Sequence, residues 1–177
     1  MLRGINVSGH KMVKMEALRK MYEDLKFKNV KSYIQSGNLV FQDKKIKCQD
    51  LEKKITKKIL EEFGFEVPVM VKETDELIYV LKNNPFVNKR KEDTSKLHVT
   101  FLSGNPEKAS LDKIKEGQYA SDEYYISGNT VYLFCPNGYG NTKLSNTFFE
   151  NKLKLTATTR NWKTICELVK LSENHKA

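Results

Sequence analysis

The stretch Tyr33–Gln42, YIQSGNLVFQ, decides the fold. A short alternating run enters Ser36-Gly37-Asn38, and a second run leaves it. Gly followed by Asn between two β-rich runs is the chemistry of a two-residue II′ turn, since Gly takes φ > 0 at the first turn position without strain. A turn at Gly37-Asn38 sets Ser36 opposite Leu39, Gln35 opposite Val40 and Ile34 opposite Phe41. Ile34, Leu39 and Phe41 then make one apolar face. The phrase returns at Tyr124–Phe134, YYISGNTVYLF, with Ser127-Gly128-Asn129 at the turn. The chain reads as one built twice around this hairpin.

Working outward, Leu2-Arg3-Gly4 reads as the tail of a strand. Lys14–Leu25 follows as a helix, with Met15, Leu18, Met21/Tyr22 and Leu25 at helical spacing. Beyond the first hairpin, Cys48, Leu51, Ile55, Ile59 and Phe63 stripe a second helix, Cys48–Phe63. Its lysines Lys53, Lys54, Lys57 and Lys58 crowd a solvated face. Gly64 stops that helix, and Val67–Lys72 reads as a further strand. The order is strand, helix, strand, strand, helix, strand, the ferredoxin-like βαββαβ unit.

Thr74–Asn83 then reads as a short helix capped by Thr74. Residues 85–95 (PFVNKRKEDTS) are charged and aperiodic, as a joint between halves is. After it come a strand at His98–Leu102, a helix at Glu107–Lys115, the second hairpin, and helices at Asn146–Lys152 and Trp162–Leu171. Leu102-Ser103-Gly104 stands before a helix as Leu2-Arg3-Gly4 does. The expectation is an α+β protein of two ferredoxin-like halves with mainly antiparallel sheets, 1–84 and 96–177, made by internal duplication.

A chain of 177 residues, 39% apolar and 30% charged, is that of a globular protein able to bury a core. No apolar run reaches the ~18 residues of a membrane span and no signal-peptide layout is present, so a cytoplasmic setting without a membrane partner is expected. Cys48, Cys135 and Cys166 are far apart and form no cluster with histidines, which argues against a disulfide scaffold or a zinc site. No cofactor or metal is expected. The net charge of +9 points toward nucleic acid or phosphorylated small molecules as partners.

Four motifs lie in order along the chain: Arg3-Gly4-Ile5-Asn6-Val7; Tyr33-Ile34-Gln35-Ser36-Gly37-Asn38; Gly138-Tyr139-Gly140-Asn141-Thr142-Lys143-Leu144-Ser145-Asn146; and Ala157-Thr158-Thr159-Arg160-Asn161-Trp162. Together they resemble those of the DUF1697 family, small bacterial proteins of unknown function whose structures are α+β. The resemblance covers essentially the whole chain. It implies several residues of strand before Leu2-Arg3-Gly4, which are clipped here. It implies no activity, cofactor or catalytic residue.

The same motifs are rich in donors and free of carboxylates. Arg3, Asn6, Gln35, Ser36, Asn38, Lys143, Ser145, Asn146, Thr159, Arg160 and Asn161 are the candidate ligand-binding residues, with Thr158 beside them. Several stand at expected helix starts, where backbone N–H groups and the helix dipole favour an anion. The same residue types also serve as plain caps and turns. Arg3, Lys143 and Arg160 are expected to gather around one anion. The Gly138–Ser145 stretch fails the Walker A spacing. Trp162 reads as core, and His10 and Cys135 lack an identifiable catalytic partner.

These features fit a binding module for a phosphate-bearing ligand or nucleic acid. The rival reading is an enzyme acting on a small anionic or phosphorylated substrate in a cleft between the halves. No catalytic residue stands out to favour the rival. In a third reading the polar motifs only build an interface.

Overall fold

Apolar residues at helical spacing build helices where the sequence places them. In α1 (Met15–Asp24) the buried side chains are Met15, Leu18, Met21 and Tyr22. The chain then pairs β1 (Lys28–Tyr33) with β2 (Asn38–Gln42) in an antiparallel two-stranded sheet. Helix α2 (Cys48–Phe63) buries Leu51, Ile55 and Ile59 and ends at Gly64, whose φ of 76° and N–H bond to Leu60 C=O make a left-handed cap. Aromatic packing ties these elements together, with the Phe27 and Phe41 rings stacked at 4.3 Å and Tyr22 edge-on to both.

This computed structural model describes all residues except Lys45, Glu116, Gln118 and 174–177. The contacts group into two units, one of Met1–Ile78 with the described residues from Cys166 onward, the other of Tyr79–Ile165. The stretch 85–95, expected as a joint, carries secondary structure of its own. After α3 (Thr74–Lys82) comes α4 (Pro85–Asn88), whose N-terminus is capped by the fully buried Asn84. A 3-10 turn follows at Thr94–Lys96, capped by Asp93. Helix α3 begins differently from expectation: Thr74 is its first residue, and the Glu73 N–H donates to Glu76 Oε2 at 2.9 Å.

The second unit holds β3 (Leu97–Leu102), α5 (Lys108–Lys115), β4 (Glu123–Ser127), β5 (Thr130–Phe134), α6 (Asn146–Leu153) and β6 (Ala157–Asn161), followed by the start of α7 (Trp162–Glu173). The strands form an antiparallel sheet in the order β4-β5-β3-β6. One face carries Leu102, Val131 and Leu133 against Ile114 of α5 and Phe149 and Leu153 of α6. Strand β6 was not expected as an element. Its sequence, ATTRN, lacks an apolar alternation, and Thr158 and Thr159 are buried all the same. The protein is thus α+β with antiparallel sheets.

The second hairpin turns at Gly128-Asn129 as expected, with Ser127 opposite Thr130, Ile126 opposite Val131 and Tyr125 opposite Tyr132. The first does not turn at Gly37-Asn38. Tyr33 pairs with Asn38, Ser32 with Leu39 and Lys31 with Val40, so Ile34–Gly37 form a four-residue turn. Leu2 and Ile5 are the physical reason: they pack directly against Gly37, and Ile34, left in the turn with φ of 50°, is exposed. The expected strand at Val67–Lys72 is reduced to a single bridge, Leu2 to Val69. The Val71 N–H instead donates to Glu52 Oε1 at 2.8 Å. No described helix is long and apolar enough to cross a membrane.

Candidate functional site

In the first unit the polar motif residues are used to close a loop. Asn6, at φ of 53°, donates through Nδ2 to Val13 C=O at 3.0 Å and to Gln35 C=O at 2.9 Å, and its Oδ1 accepts from the Val13 N–H at 2.7 Å. One side chain so pins the 4–13 loop to the hairpin turn. Asn38 is fully buried and its Nδ2 donates to Ser36 Oγ at 2.8 Å. Gln35 is exposed. The Arg3 backbone N–H donates to Pro68 C=O at 3.0 Å.

In the second unit the motif residues meet one another. Thr100 of β3 stands opposite Thr159 of β6, and their hydroxyls lie 2.7 Å apart. Thr159 gives its one proton to Asn146 Oδ1 at 2.7 Å, so Thr100 is the donor to Thr159. Asn146 is the first residue of α6, and Ser145 before it caps the helix through the Phe148 N–H. Asn161 caps α7, accepting from the Thr164 N–H at 2.8 Å. The buried Thr158 hydroxyl has no hydrogen-bond partner among the described residues.

Arg160 follows Thr159 and donates through its guanidinium to the Thr159 C=O at 2.8 Å. Burial pushes its pKa down to about 10, while the Tyr139 phenol acts in the opposite sense. Tyr139, carried between Gly138 and Gly140 on a 3-10 turn, stacks on the His98 ring at 4.8 Å between centroids. Burial also lowers the His98 pKa, which keeps the imidazole neutral at pH 7. Its Nδ1 is buried without a hydrogen-bond partner among the described residues. Lys143 is exposed.

The sequence profile described as a protein of unknown function, DUF1697, matches residues 1–132. The chain belongs to the DUF1697 family. Among solved structures, it is similar to the conserved bacterial protein SP0830 from Streptococcus pneumoniae. That likeness has a TM-score of 0.71 at 23% identity and spans 97% of this chain and 96% of that one. A search of the curated proteins returned no match.

The candidate residues of this DUF1697 chain fall in both units. Arg3, Asn6, Gln35, Ser36 and Asn38 belong to the first unit, and Lys143, Ser145, Asn146, Thr159, Arg160 and Asn161 to the second. Asn146, Thr159 and Arg160 join directly through hydrogen bonds, whereas Ser145 and Asn161 act as caps. Sequence reasoning missed Thr100, His98 and Tyr139. The only signal was their place, a strand paired with β6 and a glycine-flanked aromatic. Cys135 is buried, which pushes its thiol up to about 11 and keeps it protonated. Among the described residues no group of three His, Cys, Asp or Glu side chains is placed to hold a metal ion.

Proposed function

We propose that this chain is a binding module for a phosphate-bearing ligand, with a site in the second unit built on Arg160. The observation that carries the reading is the half-buried Arg160 at the end of β6, whose guanidinium is held by the Thr159 C=O at 2.8 Å and is partly desolvated, which lowers its pKa. An anion beside a desolvated cation recovers what burial costs, and charge-assisted bonds are strongest where water is scarce. The guanidinium already donates to the Thr159 C=O, and the net charge of +9 draws anions toward the protein. Nucleic acid is the polymeric form of the same ligand chemistry.

One observation favours an enzymatic alternative acting on a small anionic substrate. His98, neutral at pH 7, stacks on Tyr139, the residue whose phenol acts on Arg160. Among the described residues it is the imidazole beside this cluster that could take a proton. The binding reading needs no such step and is the better supported.

We also infer that the two units are ferredoxin-like copies of one ancestor. The Leu2 N–H donates to Gly37 C=O at 2.8 Å and the Arg3 N–H to Pro68 C=O at 3.0 Å. Leu102 N–H donates to Asn129 C=O at 2.8 Å and Ser103 N–H to Thr156 C=O at 2.9 Å. The echo seen in Leu2-Arg3-Gly4 and Leu102-Ser103-Gly104 thus extends to the hydrogen bonds these residues make. A reducing, cytoplasmic setting fits the three free cysteines.

Binding of a mononucleotide and of a short single-stranded oligonucleotide, each titrated with salt, separates the ligand classes. A polyanion site loses affinity steeply with log[salt], and a site for a single phosphate loses little. Failure of both ligands to bind would overturn the reading.

A further inference from the structure

The sheets of the two units end in edges of different character. In the first unit β1 carries Lys28 and Lys31, both exposed, and its register with β2 slips between them. Lysines and a bulge are devices that keep an edge strand from pairing with another chain. In the second unit the order β4-β5-β3-β6 leaves β4 and β6 at the edges. Strand β6 carries Arg160 and runs straight into α7. Strand β4, Glu-Tyr-Tyr-Ile-Ser, has no lysine and no proline, and its register with β5 is unbroken.

The outward backbone groups of β4 follow from one hydrogen bond. The Asn129 C=O accepts from the Leu102 N–H at 2.8 Å and so faces β3. Groups alternate sides along an antiparallel strand, so Val131 and Leu133 face β3 as well, while Thr130, Tyr132 and Phe134 face β4. Their partners Ser127, Tyr125 and Glu123 turn their N–H and C=O inward, which directs those of Tyr124 and Ile126 away from the sheet. Among the described residues β4 has β5 as its only strand neighbour. Tyr125 is 53% exposed, and its ring lies 6.3 Å from that of Tyr132.

We propose that β4 is a dimerisation edge, along which two copies of this chain pair antiparallel about a two-fold axis through Tyr125. In that register Tyr124 of each copy exchanges both backbone hydrogen bonds with Ile126 of the other, so every outward group of the strand is used. The strand is complementary to itself in side chains too. Tyr124 meets Ile126 as aromatic against β-branched, Tyr125 meets its own copy ring to ring, and Glu123 meets Ser127. Charge specifies the same occupant. Glu123 is the one charged residue of β4, and the Arg90 guanidinium already grips both its carboxylate oxygens, with Nη2 donating to Oε1 at 2.9 Å. A chain of net charge +9 thus meets its copy along a locally neutral edge. One strand is a narrow contact, so the dimer is weak and forms as concentration rises. The inference goes beyond the anion reading and does not involve Arg160.

Sedimentation of the intact chain from about 10 μM to about 1 mM tests the pairing through mass action. Wild type is expected to move from the monomer mass toward twice that mass, and Tyr125→Phe to do the same. Tyr125→Lys sets like charges opposite each other at the axis. It is expected to stay monomeric with the melting temperature of dilute wild type, since the side chain it replaces is exposed. Mild oxidation then locates the axis in a Cys48→Ser/Cys166→Ser background. There Tyr125→Cys is expected to link two copies by a disulfide, and Ser127→Cys, about 14 Å from its counterpart in this register, is not. A wild type that stays monomeric throughout would overturn the proposal. So would a dimer that Tyr125→Lys leaves intact, or one that Ser127→Cys links as readily as Tyr125→Cys.

Discussion

Leu2 and Gly37 meet backbone to backbone: the Leu2 N–H donates to the Gly37 C=O at 2.8 Å, and a Cβ on Gly37 would stand 2.7 Å from Leu2 Cβ. The contact explains why the first hairpin turns over four residues instead of two. It also makes Gly37 doubly constrained, by its φ of 73° and by the lack of space.

Gly37→Ala is expected to destabilise the protein by about 3 kcal/mol or more, from left-handed strain and overpacking together. Gly64→Ala is the control, because Gly64 has φ of 76° but open space where its Cβ would go. Its cost is expected to be about 1–2 kcal/mol, from strain alone. Urea denaturation of both variants reads the difference; equal losses would remove the packing role given to Gly37.

Asn6→Ala removes three hydrogen bonds at once and strands the N–H and C=O of the buried Val13. A loss of about 2–3 kcal/mol is expected, with faster proteolysis within the 4–13 loop. Asn6→Asp keeps the acceptor for Val13 N–H and loses the two donors, so its stability is expected between wild type and Asn6→Ala. Denaturation midpoints and a limited trypsin digest check the order.

His98 makes stability depend on pH. Burial lowers its folded pKa from the ordinary 6.5, so the unfolded state binds the proton first as pH falls. Its contribution is fully present above pH 6.5 and is lost as pH drops from there to the folded pKa. His98→Phe keeps a ring against Tyr139 and removes the titration. The fall in melting temperature between pH 7.5 and pH 5 is expected to be smaller in His98→Phe than in wild type. An identical fall in both would show that His98 does not carry the effect.

Helix positions were legible because burial and spacing coincide there, as with Leu51, Ile55 and Ile59 on α2. The Gly128-Asn129 turn was legible because its chemistry is local. The matching phrase at Gly37-Asn38 misled, since contacts from Leu2 and Ile5, distant in sequence, decide that turn. Strand β6 was hidden because Thr158 and Thr159 are buried as polar residues, and the Thr159–Thr100 bond that makes this tolerable spans 59 residues. The polar motifs hold both the loop-closing bonds of Asn6 and the Thr159–Asn146 bond. Their sequence could not separate the closing role of Asn6 from the cluster of Asn146, Thr159 and Arg160, because the same residue types serve both.

The central claim is that Arg160 is held for an anion, and a melting-temperature comparison tests it most directly. Burial lowers the pKa of Arg160 and so disfavours its charged form, which a bound anion offsets. Wild type and Arg160→Gln are melted in sodium phosphate and in sodium chloride of equal ionic strength. Phosphate at about a hundred times its dissociation constant is expected to raise the wild-type midpoint by about 5–10 °C and to leave Arg160→Gln unmoved. An equal rise in both proteins, or none in wild type, would contradict the account.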